Sequence, residues 1–230
     1  MHSTWAEQTW AVFRKDLLLE MRSRVNFNAM LFFAGTVLLI FSFALGPDQA
    51  RLYSASGGIL WLAFVFAGVL AFGRSYQLEA ENNAFEGLLL IAQNRSAIYL
   101  GKMLGTVTVM LLIELVVLPL MAVLYNLPAK LPIGESIPLL LLIGVLGTVG
   151  FASIGALYGA LAMSLRAREV LLPLLMLPIT VPVLLGAVKA TTEVITGNLA
   201  DIRIWLELLA AFDVIFVTAG LLIYEYAVET

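Results

Sequence analysis

Hydrophobicity along the chain comes in long blocks separated by short polar breaks. After a mixed stretch at 4–24, apolar runs occupy 27–45, 57–74, 103–125, 137–163, 170–188 and 204–225. Each approaches or exceeds the roughly 20 residues a helix needs to cross about 30 Å of hydrocarbon. The pattern therefore predicts an all-α membrane protein with six transmembrane helices in a single domain. The opening stretch has a different period. Trp10, Phe13, Leu17 and Met21 recur every three or four residues, with Arg14, Lys15, Glu20, Arg22 and Arg24 between and after them. That spacing belongs to an amphipathic helix lying in the headgroup layer, where Trp5 and Trp10 are also at home. Gly46-Pro47-Asp48 reads as a turn, as does the 126–136 loop with Pro128, Pro132 and Gly134.

The longest polar break inside the membrane-spanning part runs from Glu79 to Lys102. It carries Glu79, Glu81, Glu86, Arg95 and Lys102, together with an apolar stripe of Phe85, Leu88, Leu89 and Ala92 at i, i+3, i+4 and i+7. Those four share one face of a short helix. Two readings fit: a coupling helix pressed against a motor protein outside the bilayer, or an interfacial helix resting on headgroups. Lys and Arg fix its side. The N-terminal segment and the second and fourth loops hold nine of the 13 basic residues, and the alternate loops hold four. Both termini and the 79–102 stretch are thus expected in the cytoplasm.

Several features inside the spans invite a role. Gly155 and Gly159 form a GxxxG pair flanked by Ala152, Ala156 and Ala160, a pattern that lets helices approach closely in lipid. An intramolecular contact is the safer expectation. Pro173, Pro178 and Pro182 fall in one span. Each removes a backbone donor and crowds the preceding turn, so this helix is expected to be kinked or partly unwound, either as a moving part or as a static bend. Glu114 and Asp213 lie within apolar runs, where a carboxylate costs about 2.5–3.5 kcal/mol. No Lys or Arg lies at matching depth, so a protonated acid or a hydroxyl partner is expected in preference to a salt bridge. Pathway and purely structural roles both remain open for the two acids.

Composition narrows the class. At 61% hydrophobic and 13% charged, the chain is far greasier than a soluble domain, so the lipid bilayer is its first partner. The net charge of -3 and the lack of a basic patch leave no footing for nucleic acid. There are no cysteines, and His2 is the only histidine, which removes the usual ligands for a metal or haem. A tyrosine such as Tyr158 would be only a weak substitute. No GxxxxGK[ST] loop or nucleophile–base pair occurs, so the chain is expected to catalyse nothing itself.

The order of interface helix, six spans and a polar stretch between spans two and three resembles the membrane subunits of ABC-2-type transporters. Within them the chain is similar to the haem exporter B (CcmB) family of cytochrome c maturation permeases over nearly its whole length. The most specific matches are Ala97-Ile98-Tyr99-Leu100-Gly101-Lys102 and Leu177-Pro178-Ile179-Thr180-Val181-Pro182. Glu86 matches the acid of the family's coupling segment and Leu88 to Leu90 its apolar run. Asn82-Asn83 replaces the usual acidic–glycine turn, and Ala92-Gln93-Asn94 the usual prolines. The resemblance implies a bacterial inner-membrane protein with no cofactor of its own. ATP and magnesium would sit on a separate CcmA-like subunit docked on residues 85–92. Haem would be handled with CcmC-like and CcmD-like membrane subunits, and a periplasmic CcmE-like chaperone would be served indirectly. The alternatives are an ABC-2 permease for a lipid or drug-like substrate, and a non-transporting scaffold.

Overall fold

The computed structural model describes residues 4–81, 87–88, 94–127, 133–163 and 168–227. Among them the chain forms seven helices: α1 (Trp5–Ser23), α2 (Val25–Leu45), α3 (Gln49–Glu81), α4 (Arg95–Leu124), α5 (Ile133–Met163), α6 (Arg168–Thr196) and α7 (Ile202–Ala227). Six contain a stretch long and apolar enough to cross a membrane: Val25–Leu45, Gln49–Gly73, Arg95–Leu124, Ser136–Ala162, Pro173–Thr196 and Ile202–Tyr226. The protein is an all-α membrane protein, as the hydrophobic blocks predict.

Local chemistry explains where the helices start. Thr4 and Glu7 make a capping box on α1: the Glu7 amide donates to Thr4 Oγ1 at 3.4 Å and the Thr4 amide to Glu7 Oε2 at 2.8 Å. A single left-handed residue, Arg24 with φ 51°, ends α1 and opens α2. Glu20 serves the far side of this joint, accepting the Phe27 amide at 2.7 Å and so satisfying a donor left over at the α2 start. The expected turn at Gly46-Pro47-Asp48 is present, and Asp48 Oδ1 accepts the Ala50 amide at 3.1 Å to start α3.

Two boundaries differ from the sequence pattern. α3 runs on to Glu81 and α4 begins at Arg95. Residues 79–81 and 95–102 of the polar stretch are therefore ends of the long helices, not parts of a separate loop element. Phe85, Glu86, Leu89 and Ala92, with the Asn82-Asn83 turn and Leu90, lie outside the described residues. The second departure is α6, which is helical without a break through Pro173, Pro178 and Pro182. Of the kink or partial unwinding expected there, the unwinding is absent. Pro178 and Pro182 are exposed on the bundle's outer surface, so their rings crowd no neighbouring helix.

α5 is the middle of the bundle and touches α3, α4, α6 and α7, while α2 packs outside against α3 and α4. Small residues on α5 receive large ones from α3. A Cβ at Gly147 would lie 2.1 Å from the Trp61 ring, one at Gly155 2.1 Å from Phe72, and one at Gly159 2.1 Å from Tyr76. The exchange is mutual, because a Cβ at Gly68 of α3 would lie 2.3 Å from Phe151 of α5. Gly155 and Gly159 are thus sockets for aromatic rings of the same chain. The GxxxG pair admits side chains here, not a second backbone.

Candidate functional site

Four charged side chains meet where the N-terminal helix crosses the ends of α3 and α4. Lys15 and Asp16 come from α1, Glu79 from the last turn of α3, and Lys102 from the third turn of α4. Lys102 Nζ lies 2.7 Å from Glu79 Oε2 and 3.6 Å from Asp16 Oδ2. Lys15 Nζ lies 2.9 Å from Asp16 Oδ1 and donates to Glu79 Oε1. Each ammonium thus touches both carboxylates, and the two positive and two negative charges close a neutral ring. Lys102 is 2% exposed and Glu79 5%. Charges taken this far out of water are tolerable only with partners of opposite sign in contact.

Aromatic side chains line the ring on the bundle side. Lys102 Nζ sits 4.6 Å from the centre of the Tyr76 ring, close enough for a cation–π contact. The Tyr76 hydroxyl donates to the Ala156 carbonyl at 2.8 Å and that of Tyr99 to the Ser153 carbonyl at 3.2 Å, both on α5. Tyr99 and Tyr224 pack with ring centres 5.5 Å apart. A displacement of Lys102 or Tyr76 is therefore felt directly by α5.

α1 is seated by small residues on α4. A Cβ at Gly101 would lie 2.7 Å from Val12 Cβ, and one at Gly105 3.4 Å from Asp16 Cβ. Trp5 Nε1 donates to Ser96 Oγ at 3.0 Å, and the Asn94 amide to Gln8 Oε1 at 3.3 Å. The face that packs on α4 is thus Trp5, Thr9, Val12 and Asp16. Of the apolar stripe picked out by periodicity, Trp10 and Met21 are exposed, while Phe13 and Leu17 are half-buried. Both faces are used: one against α4, the other toward the surroundings. Gly101 and Gly105 are themselves a GxxxG pair, and that spacing was the available signal for this contact.

The ring has a defined dependence on pH. Burial disfavours the Lys15 ammonium, but the Asp16 and Glu79 carboxylates outweigh that cost and hold its pKa above the ordinary 10.5. A lysine whose pKa is raised by folding stabilises fully below its unfolded value, and that contribution disappears as pH climbs through the raised one. Thermal unfolding in detergent is therefore expected to show a component lost only in strong alkali. That component should be missing from Lys15→Met.

The sequence-derived candidates are distributed as follows. Glu79, expected on a partner-facing segment, is buried and paired, because its carboxylate meets Lys102 and Lys15 across the helix ends. Glu81 closes α3. Leu88 is half-buried and leans on the core. Glu114 is buried in α4 facing α5, where Thr148 Oγ1 donates to its carboxyl oxygen Oε1 and Gly144 leaves it room. A hydroxyl partner for this acid is what the absence of a cation at that depth requires. Asp213 is 8% exposed and faces Gly150, where a Cβ would lie 2.6 Å from its Oδ1. That oxygen has no hydrogen-bond partner among the described residues. Some 34 residues of sequence separate Glu114 from Thr148, and neither acid touches the four-charge ring. Among the described residues no group of three His, Cys, Asp or Glu could hold a metal ion.

Comparison with known proteins gives these positions a context. The family model described as CcmB protein matches residues 7–230. A protein named heme exporter protein B from Pseudomonas aeruginosa is 31% identical over 208 residues, covering 85% of this chain and 89% of its own length. Its namesake in Rhodobacter capsulatus is 31% identical, covering 76% of this chain and 78% of its own length. The one in Escherichia coli K12 is 30% identical, with 79% and 80% covered. With the family pattern matched from the first turns of α1 to the last residue, and six apolar helices to carry it, the chain belongs to the CcmB family.

Proposed function

We propose that this chain is the membrane-spanning subunit of a haem-exporting ABC transporter that serves cytochrome c maturation, and that it receives mechanical work from a separate ATPase. The relatives it matches are named as heme exporter proteins. The single observation that supports mechanical coupling is the placement of the four-charge ring. The segment between α3 and α4 leaves one helix just after Glu79 and enters the next at Arg95, two turns before Lys102. A push on that segment therefore reaches two helix ends that are already tied together. In this reading both termini and the segment are cytoplasmic, where a CcmA-like subunit hydrolyses ATP with magnesium. CcmC-like and CcmD-like subunits complete the membrane complex and hold haem, since the sole histidine, His2, precedes the first helix. The work done is release of haem-loaded CcmE-like chaperone on the outer side.

Co-purification with the ATPase tests the docking step. Phe85→Asp combined with Glu86→Lys puts charge on the apolar stripe and reverses its acid. Association is expected to be lost while the chain still inserts and folds. Unchanged association would exclude this segment as the docking surface. Leu88 is left intact in this test because it supports the core.

A further inference from the structure

We propose that α1 belongs to the force-transmitting apparatus, with Lys15 and Asp16 as positioning residues that lock it to the two helix ends flanking the 82–94 segment. This deepens the coupling reading above and rests on it for its functional consequence, but not for its structural one. A helix that only anchors the chain in the headgroup layer needs no polar contact with the bundle. Here the contact reaches two buried charges of the bundle, Glu79 and Lys102. Lys15 and Asp16 are adjacent on α1, yet each reaches a different long helix: Lys15 touches Glu79 of α3, and Asp16 touches Lys102 of α4. Removing α1 would leave Glu79 and Lys102 paired with each other but would strip each of its second partner. α1, the end of α3 and the start of α4 therefore move as one body or pay for separating.

Because every charge in the ring sits on a known helix, it can be reversed by halves. Lys15→Asp with Asp16→Lys alone sets like charges against Glu79 and Lys102. Adding Glu79→Lys and Lys102→Glu restores every attraction with the signs exchanged. The chain has no native cysteine, so spin labels on Trp10→Cys and Asn94→Cys, both exposed, report the distance between α1 and the start of α4. In the purified chain, pulsed electron paramagnetic resonance is expected to give a narrow distribution with the native charges. It should be broad for the half-reversed pair and narrow again for the fourfold reversal. If half-reversal leaves the distribution narrow, α1 is held without the ring and the proposal fails, whatever the transporter does. In the complex with its ATPase, the native distance should be unchanged by ATP. Cytochrome c yield should fall about twofold to thirtyfold for the half-reversed pair, the range for contacts that carry coupling, and recover in the fourfold reversal. A distance that changes on ATP binding would also overturn the proposal. A native chain that shows the narrow distribution but binds no ATPase would instead refute the coupling reading and leave the lock standing.

Discussion

Replacing Lys102 with methionine is expected to take away a large share of the protein's stability. The substitution keeps the length and packing of the side chain and deletes only its charge. Glu79 and Asp16 then face each other with Lys15 as their one remaining cation, at a site where Lys102 alone is 2% exposed and Glu79 5%. Breaking a buried ion pair by removing one member costs about 3–5 kcal/mol, because the surviving charge keeps its desolvation penalty and loses its compensation. Set against a total stability of about 5–15 kcal/mol, that is a large share. The sharper expectation is in the double substitution. Lys102→Met with Glu79→Gln removes a cation and an anion together, leaves Lys15 paired with Asp16 at 2.9 Å, and should recover much of the loss. Abundance after membrane extraction and thermal unfolding in detergent would measure both. Equal behaviour of the single and double variants would mean the charges are not energetically coupled.

Gly155→Leu is expected to disrupt the packing of α5 against α3. The first atom added would lie 2.1 Å from Phe72 Cε2 and 2.3 Å from Cζ. Phe72 cannot yield easily, since its ring is buried and lies 6.0 Å from that of Phe151, which fills the socket at Gly68. Overpacking a filled core costs about 1–3 kcal/mol and occasionally more, and this site belongs at the upper end. Phe72→Ala in the same chain should return part of the loss by emptying the space the leucine needs. Gly73→Ala is the control: nothing lies within 4 Å of its added atom, and alanine in a helix is favoured over glycine by about 0.5–1 kcal/mol. Melting temperatures of the four proteins would separate a steric effect at one socket from a general intolerance of change in the glycine-rich helices.

Much of the fold was legible because span-forming helices announce themselves by length and hydropathy, and those sums need no knowledge of neighbours. The four-charge ring was not legible for the same reason. A hydropathy sum counts Glu79 and Lys102 as breaks in the membrane pattern, since it cannot know that each cancels the other across two helices. The apolar stripe of α1 was found, but two of its four residues, Trp10 and Met21, are exposed. The face that seats on α4 is built from Thr9, Val12 and Asp16 over Gly101 and Gly105, residues too small or too polar to register as amphipathic. Glu114 shows the opposite case. With no cation at its depth, a hydroxyl was the remaining donor, and Thr148 supplies it. The prolines of α6 do not unwind it, because the loss of a backbone donor is tolerated in a spanning helix in which Pro178 and Pro182 face outward.

The aromatic sockets between α3 and α5 carry a mechanical consequence. Trp61, Phe72 and Tyr76 project one way and Phe151 the other, like teeth of two racks held in mesh. Sliding or swivelling either helix would mean lifting four rings out at once, so the pair behaves as a keel. Freedom is left to the helices that bury least of themselves, α2 with 17% of its spanning window enclosed and α7 with 22%. Any rocking of the bundle should therefore be sought at its flanks, with α3 and α5 as the fixed frame of reference.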